Sequence, residues 1–151
     1  MTTIVVSRKH KAIAADSFNT TPDGAFRLVS KIEQLENGNF FLGSGHLKPL
    51  GVVKRWLDSD RGTELDLNFV NEDPEDLGFS ILVVSPDLER IACIDEELEW
   101  YEVNDEYVAI GSGSPYAIGA LDAGASPEDA VKIACRRDAN TGEPVTVLYV
   151  Q

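Results

Sequence analysis

The chain has 151 residues, of which 13 are basic and 26 acidic, for a formal net charge of −13. A field of that sign repels nucleic-acid phosphates and anionic membrane surfaces, and no apolar run approaches the roughly 20 residues needed to span a bilayer. Neither nucleic acid nor membrane is therefore expected as a partner. The length predicts one domain, 1–151, able to bury a core without staples. The opening residues lack the basic-then-apolar order of a secretory signal, so a cytoplasmic location is the expectation. Two cysteines, Cys93 and Cys135, stand far apart outside any CxxC pattern and read as reduced core or near-core thiols. With only His10 and His46 as imidazoles, a zinc site is not expected.

In chain order, Ile4-Val5-Val6 and Ala12-Ile13-Ala14-Ala15 flank the polar stretch Arg8-Lys9-His10-Lys11 and predict an opening β-hairpin. Its weak alternation suits strands buried on both faces. Residues 26–33 and 40–43 predict a second strand pair around the Asn37-Gly38 turn. Leu47, Leu50, Val53 and Leu57 recur at helical spacing, with Trp56 beside them, and predict an amphipathic helix. Residues 58–77 are acidic and polar and read as loop. Strands resume at 79–84 and 89–94 around Ser85-Pro86-Asp87, and again at 98–103 and 107–110. The acids concentrated in 95–106 are interleaved with Leu98, Trp100 and Val103, which predicts an exposed edge of a folded element.

The last third carries the sharpest local signals. Ser114-Pro115 predicts a helix start with Ser114 as N-cap, running through Asp122, and Gly124 is placed to close it in a left-handed conformation. Ser126-Pro127-Glu128-Asp129 predicts a second helix with acids in its first turn and Ala130, Val131, Ala134 and Cys135 as apolar face. Residues 145–150 predict a final strand. The order of strands, helix, strands, two helices and strand is an α+β pattern.

The chemistry begins at Met1-Thr2. Loss of Met1 would leave Thr2 with an α-amine and a hydroxyl on one residue. An α-amine titrates near about 7.7–8.0, so it can act as general base for its own hydroxyl. Many unrelated proteins also begin with Met-Thr. Gly111-Ser112-Gly113 superficially suggests a dinucleotide loop, but Tyr116 stands where the third glycine is needed, and the stretch is no GxSxG elbow.

Five segments occur together in order: Met1-Thr2-Thr3-Ile4-Val5-Val6 leading to Asp16, Val29-Ser30-Lys31-Ile32, Leu42-Gly43-Ser44-Gly45-His46, Gly111-Ser112-Gly113-Ser114-Pro115, and Arg137-Asp138-Ala139-Asn140-Thr141-Gly142. Together they resemble the proteasome β-subunit/HslV family of N-terminal-nucleophile hydrolases. The resemblance implies a four-layer αββα sandwich, here with a reduced helix layer because only about one helix fits before the acidic loop. It implies a threonine endopeptidase with Thr2 as nucleophile, Lys31 and Asp16 as a charge pair beneath it, and Ser112, Asp138 and Thr141 as a polar network around its amine. Thr141 replaces the family's usual serine. Gly45 would supply the oxyanion-hole amide, with His46 standing where the family has a small residue. The resemblance further implies a ring-forming homo-oligomer, an AAA+ unfoldase partner and polypeptide substrates. It implies no cofactor beyond a structural monovalent cation near the Asp138–Thr141 turn. The alternatives are a catalytically silent assembly or scaffold protein on the same fold, and an amidase of small substrates.

Overall fold

The structure, a computed structural model, describes residues 2–20, 26–59, 78–95 and 99–151. The opening hairpin is formed by β1 (Ile4–Ser7) and β2 (Ala12–Ala15), both wholly buried. Its register pairs Ile4 with Ala15 and Ser7 with Ala12. β10 (Tyr107–Ile110) adds antiparallel to β1, and β11 (Thr146–Tyr149) to β2, giving a four-stranded sheet ordered β10-β1-β2-β11.

A second, five-stranded antiparallel sheet runs β5 (Glu33–Gln34), β6 (Phe40–Gly45), β7 (Phe79–Val84), β8 (Ile91–Ile94), β9 (Trp100–Glu102). The Asn-Gly turn joins β5 to β6 as expected, with Gly38 at φ +90°. The predicted strand over 26–33 instead divides. β4 (Phe26–Leu28) pairs with β3 (Phe18–Thr20), a strand the sequence reading missed, and β5 joins the other sheet. The intervening residues cross between the sheets, and Val29 N–H donates to Ser17 O at 2.9 Å. β8 is shorter than expected because the Arg90 amide is taken by Ser85 Oγ and the Glu89 amide by Asp87. β9 is an exposed edge strand inside the acidic stretch, as its mixed pattern predicted, although 96–98 lie outside the described residues.

Side-chain alternation sorts the β residues into two interfaces. Ile4, Val6, Ile13 and Ala15 of one sheet meet Phe40, Leu42, Leu82 and Val84 of the other in the central core. On the far face of the first sheet, Val5 and Ala14 are covered by α2 (Ser114–Asp122) and α3 (Pro127–Arg137) through Ala117, Leu121, Ala130, Val131 and Ala134. On the far face of the second, Phe41, Ile81, Val83 and Ile94 are covered by α1 (Leu47–Asp58) through Leu50, Val53 and Leu57. Among the described residues the layers are thus αββα, with one helix on one side and two on the other. The predicted loop over 58–77 lies almost wholly outside the described residues, apart from Asp58, the last residue of α1, and Ser59, its C-cap.

Two helix details differ from expectation. Leu47, expected on the buried face of α1, is 63% exposed. Ser114 is the first residue of α2 and Gly113 is its N-cap. A side chain at position 113 would run into Thr3, so the cap position goes to the residue that lacks one. Elsewhere the caps follow the sequence. Gly124 at φ +99° closes α2 with bonds from Gly124 N–H to Leu121 O and Ala125 N–H to Ala120 O, a Schellman arrangement. Ser126 Oγ accepts the Asp129 amide at 3.1 Å to cap α3. Cys93 is buried, Cys135 is half-buried, and both are free thiols. Among the described residues no helix is long and apolar enough to cross a membrane.

At the end of the hairpin remote from Thr2, Arg8 ties the two sheets together. Its guanidinium donates to Val103 O at 2.7 Å, to Glu89 O at 3.1 Å and to Asp105 O. An ammonium cannot reproduce that fork. Arg8→Ala is expected to lower stability by about 1–3 kcal/mol, and Arg8→Lys to recover only part of it, as read from urea unfolding midpoints.

Candidate active site

The β-hairpin register itself assembles the site. Continuing β1 backwards from Ile4 sets Thr3 opposite Asp16, and the backbone does so: Asp16 N–H donates to Thr3 O at 3.1 Å. Continuing the β1–β10 register sets Thr2 opposite Ser112. Alternation then gives Thr2 the inter-sheet face of Ile4 and Val6, and Thr3 the helix-covered face of Val5.

Asp16 is enclosed, its side chain showing no exposed surface. Oδ1 accepts the Thr3 amide at 3.0 Å and Lys31 Nζ at 2.8 Å, while Oδ2 accepts the Gly142 amide at 3.1 Å and the Phe18 amide at 3.3 Å. Lys31 arrives from the segment after β4, and its side chain is 7% exposed. Its ammonium also donates to Thr2 Oγ1 at 2.9 Å. Burial pulls the Lys31 ammonium below the ordinary lysine pKa, and the opposing attraction of Asp16 does not fully restore it.

Asp138, the C-cap of α3, forms a second hub. Its Oδ2 accepts Ser112 Oγ at 2.6 Å and Thr141 Oγ1 at 2.6 Å, and its Oδ1 accepts the Asn140 amide at 3.2 Å. Burial pushes this carboxyl up, but the bonds from Ser112, Thr141 and the Asn140 amide outweigh it and hold the acid below the usual aspartate value. Thr141 Oγ1 lies 2.8 Å from Thr3 Oγ1, so the two hubs meet at Thr3.

Glycines make the close approaches. Gly111 has φ +99°, and a Cβ there would stand 1.9 Å from Thr2 O. Gly113 donates its amide to Thr2 O at 3.3 Å, and a Cβ on it would stand 1.9 Å from Thr3 Oγ1. A Cβ on Gly142 would enter the Phe18 ring at 2.3 Å.

Thr2, Asp16, Lys31, Ser112, Asp138 and Thr141, singled out in the sequence, are therefore linked in one hydrogen-bonded constellation. Gly45 ends β6 at φ +117°, in the expected strand-to-helix turn, with His46 as N-cap of α1. Next to it, Ser44 is nearly buried, on the inter-sheet face of Leu42, with its hydroxyl 3.2 Å from the space a Gly111 side chain would fill. Sequence reading missed the parts played by Thr3, Phe18 and Ser44. Counting strand parity from Ile4 would have found Thr3. Nothing local marks Phe18 or Ser44. Burial and the nearby Asp16 and Glu143 carboxylates push the Cys135 thiol up to about 11, so Cys135 stays a neutral thiol. A recess of about 500 Å³ on the second sheet, lined by Val83, Ala92, Trp100 and Tyr101 among others, includes none of the constellation.

Two antiparallel sheets packed face to face with helices outside both make the αββα fold of the N-terminal-nucleophile hydrolases. The form is the one shared by proteasome β subunits and HslV. The structure of Thiobacillus denitrificans BPH in complex with epoxomicin superposes with a TM-score of 0.71 at 20% identity, covering 99% of each chain. A second structure of that protein gives 0.68 at 22% identity, covering 99% of this chain and 98% of that one. Eukaryotic HslV from Trypanosoma brucei gives 0.67 at 20% identity, covering 97% of each. In sequence, a proteasome subunit beta of Methanopyrus kandleri is 42% identical over 59 residues, a match covering 32% of this chain and 28% of that subunit. No protein-family model matches the chain.

Gly111→Ala forces a side chain against the Thr2 carbonyl in a left-handed backbone, and is expected to cost more than about 1 kcal/mol of stability, measured by chemical denaturation. Asp138, held low in the native state, binds its proton more weakly there than in the unfolded chain. Its contribution is complete above the ordinary aspartate range and is lost as pH falls through the depressed value. Asp138→Asn should therefore flatten the acid limb of stability below about pH 4, followed by unfolding midpoints across pH.

Proposed function

We propose that the chain is a threonine-type peptide hydrolase in which Thr2, bared by removal of Met1, is the nucleophile. The observation that carries this reading is the Lys31 ammonium at 2.9 Å from Thr2 Oγ1, itself held at 2.8 Å by an enclosed Asp16. A cation so placed favours the alkoxide over the alcohol. A buried ion pair is poor evidence of added stability, since its desolvation offsets its attraction. One that also touches a threonine hydroxyl at the head of a strand has a chemical use.

In this reading the Thr2 hydroxyl attacks the scissile carbonyl carbon and its proton passes to the Thr2 amine. The new C–O bond leaves a tetrahedral oxyanion, which the Gly45 amide stabilises; a donor of that kind is worth about 10²–10³ in rate. The intermediate collapses, the C–N bond breaks, and the amine returns the proton to the departing peptide nitrogen. Water, deprotonated by the same amine, then releases the acyl group from Thr2. Lys31 stays beside Oγ throughout. Ser112, Asp138 and Thr141 orient the amine and the strand that bears it. The substrates are polypeptides, and the working form is a ring homo-oligomer fed by an AAA+ unfoldase.

Epoxomicin, the ligand of the BPH complex, is the probe of choice. Covalent labelling of Thr2 in purified protein lacking Met1, located by intact mass and peptide mapping, is expected. Thr2→Ala and Lys31→Met should both lose it, Lys31→Met by at least about 10²-fold in rate. Label persisting in Thr2→Ala ends the proposal. Retained Met1 with no label would instead favour the silent scaffold.

A further inference from the structure

The hydrogen bond between Thr3 and Thr141 joins two hydroxyls, and distance alone does not say which one donates. A proton inventory does. Asp138, held low, is a carboxylate near neutral pH and can only accept. Thr141 has a single hydroxyl proton and directs it to Asp138 Oδ2 at 2.6 Å. At 2.8 Å, then, Thr3 Oγ1 must be the donor and Thr141 Oγ1 the acceptor. Thr3 is fully buried and Thr141 is 4% exposed, so bulk water does not compete for either group.

The remaining polar atoms of Thr3 are equally committed. Its amide donates to Asp16 Oδ1 at 3.0 Å and its carbonyl accepts the Asp16 amide at 3.1 Å. The residue adjoining Thr2 is thus fixed from two sides, by the carboxylate that holds Lys31 and, through Thr141, by the carboxylate that holds Ser112. Gly113 leaves the space in which the Thr3 hydroxyl sits.

We propose that Thr3 is a positioning residue whose hydroxyl, donating along Thr3, Thr141 and Asp138, sets the orientation of Thr2 toward Lys31. The proposal rests on the peptidase reading above. It explains why a hydroxyl is kept on the helix-covered face of β1, where Val5 and Ala14 are otherwise apolar. A buried hydroxyl there needs a partner of its own, and Thr141 is that partner.

The test compares Thr3→Val, which keeps the shape and removes the donor, with Thr3→Ser, which keeps the donor. The readout is the kinetics of epoxomicin labelling, separated into the rate at saturation and the half-saturating concentration. The saturated rate should fall roughly tenfold in Thr3→Val with the half-saturating concentration unchanged, and Thr3→Ser should restore most of it. Unfolding of Thr3→Val, Thr141→Val and the double variant should be less than additive, because both singles remove the same bond. A Thr3→Val protein that labels like the wild type overturns the proposal. So does a Thr3→Ser protein as slow as Thr3→Val, which would mean that only volume matters. Failure of the wild type itself to label is the separate failure of the peptidase reading, and takes the positioning role with it.

Discussion

The site depends on keeping one ammonium in a place that burial disfavours. Lys31 is drawn down from the ordinary lysine pKa by desolvation even with Asp16 at 2.8 Å. The structure meets that cost by surrounding the partner: three backbone amides, from Thr3, Phe18 and Gly142, converge on Asp16. They come from the residue before β1, from the start of β3 and from the turn after α3. The carboxylate thereby ties together three distant parts of the chain, and the lysine is placed by the same act. In the proposed reaction such a fixed charge would cost no reorganisation when an alkoxide formed next to it.

The two-sheet sandwich makes this arrangement affordable in conformational terms. Each strand of the opening hairpin is buried on both faces, so β1 cannot slip by one residue without exchanging its two cores. Ile4 and Val6 fill the space between sheets while Val5 meets α2 and α3. That register, fixed by apolar packing along β1, is what sets Thr2 and Thr3 at the strand head on opposite faces. One hydroxyl meets Lys31 and the other meets Thr141.

Much of this was legible in the residues. The hairpin, the Asn37-Gly38 turn, the helix around Leu50, Val53 and Leu57, and the Ser126-Pro127 helix start each carry a local signal strong enough to survive folding. The β3–β4 pairing does not: Phe18–Thr20 is three residues long, and its partner strand lies within a run that looked continuous. The α2 cap was misplaced because a tertiary contact, Gly113 against Thr3, outranked the local preference for serine. Within the site, Thr2 could be reasoned from its own chemistry. Lys31 and Asp16 came only from family resemblance, since nothing in their neighbours says that residues fifteen apart will pair. Sequence spacing carries no information about a contact that is made by chain reversal through a second hairpin.

At the opposite border of the second sheet, β9 is the edge strand among the described residues, with Trp100 and Tyr101 about half exposed. An edge of that kind is a template for unwanted strand addition. Here it is short, and Glu99, Glu102, Asp105 and Glu106 crowd around it with Arg90 paired to Glu102 at 2.9 Å. Two copies approaching through this border bring like charges together, so the negative excess of the whole chain has a local use as a gatekeeper. It opposes strand addition at the aromatic rim.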